Sequence, residues 1–154
     1  MTKPVLLLDV DGVLCPYFTD EPIDGYEQHD VGPVSVWINR EHGVWLQGLA
    51  EAYELVWATT WEHDAPEVLG PVLGLPEMPV IEFTHGAANK TWKIADVDAF
   101  IGDRPAAWLD DELGPDADAW ADQRSGRTLL VRVDATVGLE ESHIDDLRAF
   151  ATNS

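Results

Sequence analysis

The sequence predicts an α/β domain built on a mostly parallel sheet of five strands. Two observations carry this reading: short continuous apolar runs recur along the chain, and helical patterns lie between them. Continuous runs suit strands covered on both faces, because helices pack above and below a parallel sheet. Their alternation with helices is the pattern of βαβ units. The chain has 154 residues, 45% of them hydrophobic, which is enough for the core of one domain over 1–154 and too little for two.

The elements follow in order. Val5–Asp9 (VLLLD) is the first apolar run, bounded by Pro4 and Gly12. Pro16–Val36 is rich in Asp, Glu, Gly and Pro and reads as a loop excursion or minimal cap, with room for a strand at Val34–Ile38. Asn39 is placed to cap a helix running through Tyr53, with Trp45, Leu49 and Ala52 on one stripe and Gly43 and Gly48 weakening it. Leu55–Thr59 (LVWAT) is the second strand. Glu67–Leu73 is a short helix closing at Gly74, and Val80–Phe83 (VIEF) is the third strand. Thr91–Phe100 spaces Ile94 and Val97 helically, with Ile101 continuing the stripe. Ala106–Leu109 (AAWL) is the fourth strand and runs into Asp110-Asp111. Pro115–Arg124 is a helix carrying Trp120 inward, Leu129–Val133 (LLVRV) the fifth strand, and Glu140–Ala151 a helix with Ile144, Leu147 and Phe150 on one side.

Charge and composition exclude several function classes. Nine Lys+Arg against 29 Asp+Glu give a net charge of −20, which repels nucleic acid phosphates and anionic lipid. Nonspecific nucleic acid binding is therefore not expected. A single cysteine, Cys15, makes no intramolecular disulfide and no cysteine-rich zinc site. No stretch approaches the roughly 20 apolar residues of a membrane helix, and Asp9 interrupts the first apolar run before it reaches signal-peptide length. A soluble, cytoplasmic protein without membrane partners is expected.

In open parallel sheets, ligands bind beyond the carboxyl ends of the strands. Strand one ends in Asp9-Val10-Asp11-Gly12, strand two in Thr59-Thr60, and strand four in Asp110-Asp111; Lys90 and Lys93 stand at the opening of the third helix. Asp9, Asp11, Asp110 and Asp111 would crowd one rim. Each pair of carboxylates repels by about 4 kcal/mol at about 4 Å with an effective dielectric near 20. Such a rim takes up protons or holds a cation, and hard oxygen ligands with room for water suit Mg²⁺. A divalent ion, a lysine and a threonine hydroxyl together make a cradle for a phosphate.

These residues resemble the haloacid dehalogenase (HAD) superfamily of phosphohydrolases. DVDGVL at Asp9–Leu14 matches its first motif, Thr59 at a strand end its second, a lysine its third, and WLDDE around Asp110-Asp111 its fourth, in the family's order and over nearly the whole chain from Val5 to about Ala151. The resemblance implies a Rossmann-like three-layer domain. It also implies a Mg²⁺-dependent phosphatase in which Asp9 attacks phosphorus to give an aspartyl-phosphate. Asp11 would protonate the leaving oxygen and then activate water. Thr59 and Lys93 would hold the phosphoryl oxygens. Asp9, the Asp11 carbonyl and Asp110 would ligate Mg²⁺, and Asp111 would bond its waters. For the third motif Lys93 is preferred over Lys90, because it lies closer to the acidic motif. Thr60 competes with Thr59 for the second.

Pro16–Val36 is too short for a helical cap, so a capless or minimally capped member is expected, acting on a small-molecule or macromolecular phosphate. A phosphotransferase shares the first half-reaction, and a phosphate-binding module without turnover would keep the same fold. A two-component receiver would place its acidic residues before the lysine, not after it. Trp61, directly after the second motif, is read as packing in preference to lining a substrate entrance. Glu62-His63-Asp64 is read as surface loop, and Cys15 as a small buried filler. GAANKT at Gly86–Thr91 lacks the glycines of a P-loop, and DVDG lacks the closing glutamate of an EF-hand.

Overall fold

Four apolar residues in succession, Val5–Leu8, form strand β1, and all are fully buried. The computed structural model that shows this describes residues 3–17, 21, 23–83 and 93–152. After β1 come β2 (Tyr26–Val31), β3 (Val34–Asn39), α1 (Glu41–Leu49), β4 (Glu54–Trp57), α2 (Asp64–Leu73), α3 (Ile94–Ile101), β5 (Ala106–Asp110), α4 (Pro115–Gln123), β6 (Thr128–Arg132) and α5 (Glu141–Thr152). β1 lies between β4 and β5 in a parallel four-stranded sheet of order β4-β1-β5-β6.

Side chains alternate faces along a strand, and the core divides accordingly. Leu6, Leu8, Leu55, Trp57, Ala107 and Leu109 face one side, against Leu46 and Leu49 of α1, Leu69 and Leu73 of α2, and Ile144 and Leu147 of α5. Val5, Leu7, Val56, Ala106 and Trp108 face the other side, against Val97 and Ile101 of α3 and Ala117 of α4. The result is the three-layer α/β arrangement that the uninterrupted apolar runs predict. Trp120 of α4 is half-buried, meeting Trp108 edge-on at a ring distance of 5.7 Å.

Several details differ from the sequence expectation. The predicted third strand contributes one residue: Val80 pairs in parallel with Trp57, whose N–H donates to the Pro79 carbonyl at 3.0 Å. The Phe83 N–H, next in line to carry the ladder forward, donates to a Glu62 carboxylate oxygen at 2.9 Å instead, and Pro79 has no N–H to carry it backward, so the sheet has four strands with a one-residue edge, not five. The predicted excursion at Pro16–Val36 holds β2 and the first three residues of β3, paired as an antiparallel hairpin from Tyr26↔Asn39 to Val31↔Val34. Its connection, Gly32-Pro33, has Gly32 at φ 61°, as a type II′ turn requires at its first central residue. The strand expected at Val34–Ile38 is β3, whereas β2 escapes sequence detection because none of its residues is fully buried and no apolar alternation marks YEQHDV. Finally, α2 begins at Asp64 and not at Glu67, since Pro66 falls in the first turn, where a missing N–H costs nothing. The start predicted at Thr91 for the third helix lies outside the described residues, within which α3 begins at Ile94. Asn39 Oδ1 accepts the Glu41 N–H at 3.0 Å at the start of α1, but the helix stops at Leu49, with Gly48 in its last turn, short of the expected Tyr53, and Ala52 is exposed. No described helix is long and apolar enough to cross a membrane.

Candidate active site

The chain passes from β1 to β4 on one side and later returns to β5 on the other side of β1. The order in which strands are added therefore reverses at β1, and a crevice opens between the carboxyl ends of β1 and β5. Asp9 immediately follows β1, its N–H donating to the Leu109 carbonyl at 3.1 Å, and Asp110 closes β5. Thr59 comes just after β4, and Lys93 precedes the first turn of α3. All four side chains are buried, whereas Thr60 is exposed. Lys90, the alternative to Lys93, lies outside the described residues, as does the Gly86–Thr91 segment.

Lys93 ties the crevice together. Its ammonium donates to Asp9 Oδ1 at 3.0 Å, Asp110 Oδ2 at 2.9 Å and the Ala58 carbonyl at 2.9 Å. All three of its donors are used, as a buried ammonium requires. Asp110 Oδ1 accepts the Glu112 N–H at 2.9 Å, which fixes the carboxylate plane. Burial works against the Lys93 charge, but Asp9 and Asp110 outweigh it and hold its pKa above the ordinary lysine value. Burial also holds the Asp9 carboxyl well above the usual carboxylate range; Lys93 opposes that shift and Asp110 adds to it. Asp111 is pushed up to about 6, first by desolvation and then by the charges of Asp110 and Glu112.

Asp9, Asp110 and Asp111 each offer an oxygen, all within 4.8 Å of one another. Three hard oxygen donors in one crowded cluster match a hard divalent cation, which would neutralise their charge; the residues fit Mg²⁺. Gly12 keeps the rim open. It sits at φ 80°, and a Cβ there would overlap Asp111 Oδ2.

Asp11 stands apart from the buried set. It is half-buried, and its Oδ1 accepts the indole N–H of Trp61 at 3.0 Å. The Trp61 backbone N–H donates to Thr59 Oγ1 at 3.1 Å. Trp61 packs against the core on one side and lines a cleft of about 660 Å³ on the other. The packing expectation for Trp61 was therefore half of its role. The cleft's opposite wall is the β2–β3 hairpin, including Val34, Val36 and Trp37. Cys15 also lines it, but burial pushes its thiol up to about 12, which rules out a thiolate nucleophile near neutral pH.

Sequence reasoning missed the Trp61–Asp11 bond and the role of Glu62. Glu62 holds a left-handed backbone, φ 47°, and its Oε2 accepts the Phe83 N–H at 2.9 Å. The Phe83 ring in turn lies 5.9 Å from Lys93 Nζ. Of the supposed surface loop, His63 is exposed, with Glu82 at 3.4 Å, and Asp64 opens α2 and lines the cleft. A tryptophan or glutamate beside a strand end has no spacing rule to announce these partners.

The family described as "HAD domain in Swiss Army Knife RNA repair proteins" matches residues 5–144. No curated protein matches the chain.

Proposed function

This chain belongs to that HAD family and is a hydrolase of the HAD kind, and from that premise we propose that it is a Mg²⁺-dependent phosphatase acting through a phosphorylated Asp9. The observation that carries the reading is Lys93, buried and bonded at once to Asp9 and Asp110. An ammonium so placed neutralises charge on an attacking carboxylate and on the phosphoryl oxygens beside it, with no reorganisation during the reaction.

Each residue has a task set by its surroundings. Asp9 Oδ1 is held by Lys93, so its other oxygen is the attacking atom. The bond formed is Asp9 oxygen to phosphorus, and the bond broken is phosphorus to the ester oxygen. Asp11, outside the buried cluster, gives its proton to that departing oxygen. It then takes a proton from the water that hydrolyses the acyl phosphate. The Thr59 hydroxyl and Lys93 bind phosphoryl oxygens. Asp9, the Asp11 backbone carbonyl, Asp110 and Asp111 would hold Mg²⁺, directly or through water. When bound, the ion supplies positive charge to the phosphoryl group and relieves the repulsion among the carboxylates.

The substrate is a phosphate monoester. The family's place in RNA repair proteins makes the terminal phosphate of an RNA end one substrate to test. A net charge of −20 argues against gripping the RNA backbone, so recognition would fall on the end itself. A panel of aryl, sugar and nucleotide phosphates and 3′- or 5′-phosphorylated oligoribonucleotides, assayed with Mg²⁺ and with EDTA, tests the reading. Metal-dependent phosphate release supports it; hydrolysis undiminished in excess chelator refutes it.

A further inference from the structure

The cleft beside Asp11 is where the phosphate's other half must go. Among the residues proposed for phosphoryl transfer, Asp11 alone lines it. Asp9, Thr59, Lys93 and Asp110 lie buried, and Asp111 borders a separate cleft with Leu113 and Pro115. The group that protonates the leaving oxygen thus stands at the cleft's edge, and a leaving group departing past Asp11 enters the space between Trp61 and the hairpin. Its volume, about 660 Å³, lies within the roughly 300–1,000 Å³ of small-molecule sites.

The lining defines what fits. Tyr17, Trp37 and Trp61 supply aromatic surface, and Val34 and Val36 aliphatic surface. Tyr17 and Val34 are 56% and 57% exposed, unusual for large apolar side chains and consistent with walls that an occupant covers. The charged lining residues described are Asp11 and Asp64, both acidic. An anionic leaving group would meet carboxylates there and, among the described residues, no cation.

Trp61 links this recognition to the chemistry. Its indole N–H holds Asp11 Oδ1 at 3.0 Å, which leaves Oδ2 to face the leaving oxygen. Its ring lines the cleft, and its backbone is tied to Thr59. We propose that Trp61 is both the positioning residue for Asp11 and the stacking surface for the leaving group, so that the cleft selects phosphate esters whose leaving group carries an uncharged planar ring of nucleoside size. This specificity rests on the phosphatase reading, whereas occupancy of the cleft can be measured without turnover.

The test joins binding to kinetics. Adenosine, which has the ring and no phosphate, is titrated into the wild-type protein while the tryptophan indole N–H resonances are followed by NMR. The Trp61 signal, identified from its loss in Trp61→Phe, shifts saturably, and ribose does not shift it. Adenosine affinity falls about tenfold in Trp61→Leu, as expected for a lost ring–ring contact. In kinetics, adenosine monophosphate has a lower KM than ribose 5-phosphate. Trp61→Phe keeps that KM preference but lowers kcat about tenfold, the loss expected for one hydrogen bond to a charged group. The kcat loss is smaller on p-nitrophenyl phosphate, whose leaving group needs no proton. Trp61→Leu raises the adenosine monophosphate KM as well. Hydrolysis of both natural-type esters with equal KM, with no Trp61 shift by adenosine, overturns the inference and leaves the phosphatase reading standing. Absence of hydrolysis of every ester refutes the phosphatase reading and, with it, the positioning role; adenosine binding at Trp61 would then sustain the ring site alone, and its absence would overturn that too.

Discussion

Replacing Lys93 with methionine keeps most of the side-chain volume and removes the charge. The ammonium lies 3.0 Å from Asp9 and 2.9 Å from Asp110, so each pair has a gross attraction of about 5–6 kcal/mol at an effective dielectric near 20. Desolvation offsets much of that in the intact protein. Removing one partner leaves the cost behind, and breaking a buried pair typically costs about 3–5 kcal/mol. A change of about 1 kcal/mol moves Tm by roughly 2–4 °C at this size, so Lys93→Met should lower Tm by roughly 6–20 °C in EDTA. The loss should be greater at pH 7.5 than at pH 5, because Asp9 and Asp111 take up protons readily and relieve the bare cluster as the pH falls. Added Mg²⁺ should restore part of the stability but not the activity, which should fall by a factor of about 10² or more. Melts followed by circular dichroism at both pH values, with EDTA and with Mg²⁺, decide it. A variant that melts within about 2 °C of wild type in EDTA at both pH values refutes the claim that Lys93 compensates this cluster.

Other predictions follow from the same geometry. The folded-state pKa of Asp111 is raised to about 6, so its contribution to metal-free stability is present below about pH 4 and is lost as the pH rises through about 6. Mg²⁺ needs the ionised cluster, so the Tm gain from Mg²⁺ should be larger at pH 7.5 than at pH 5; equal gains would contradict the ligand set. His42, packed between Tyr26 and Trp45, is pushed down to about 4 by burial. Its neutral form stabilises the fold above about pH 6.5, and that contribution is lost as the pH falls through about 4. Denaturant titrations should show His42→Leu to be less acid-sensitive over that window, by about 2–3 kcal/mol. Gly12→Ala should lower Mg²⁺ affinity and cost about 1–3 kcal/mol of stability, since the new methyl group meets Asp111 at a positive φ; calorimetric titration of Mg²⁺ checks the first and denaturation the second.

The buried layer of the fold was legible because its signal is local. Val5–Leu8 and Ala106–Asp110 are covered on both faces, so every residue is buried and the run is continuous. Once those strands are placed, the carboxyl-end rule brings Asp9, Thr59, Lys93 and Asp110 to one rim, where the structure has them. Of the hairpin, only β3 was legible, from Val34, Val36 and Ile38; β2 was not, because it buries no residue fully and its apolar residues, Tyr26 and Val31, stand only at its two ends. The one-residue strand at Val80 was overestimated, since an apolar run does not reveal that a side chain, here Glu62, captures the Phe83 N–H the ladder would need. The Trp61–Asp11 bond joins residues from two strand ends through side-chain rotamers that no residue spacing specifies.

The division of labour between Asp9 and Asp11 is tested most directly by trapping the intermediate. Asp9 sits against Lys93 in the buried carboxylate cluster, and Asp11 sits at the edge of the cleft lined by Trp61; on that difference rest the separate tasks we propose for two identical side chains. Wild type and Asp11→Asn are incubated with an aryl phosphate and Mg²⁺, quenched rapidly in acid, digested and analysed by mass spectrometry. The phosphoryl group should lie on Asp9 in both, persisting longer in Asp11→Asn because the base that activates water is gone, and no adduct should form in Asp9→Asn. Phosphate on Asp11 or Cys15, or turnover in Asp9→Asn with no adduct at all, would contradict nucleophilic attack by Asp9.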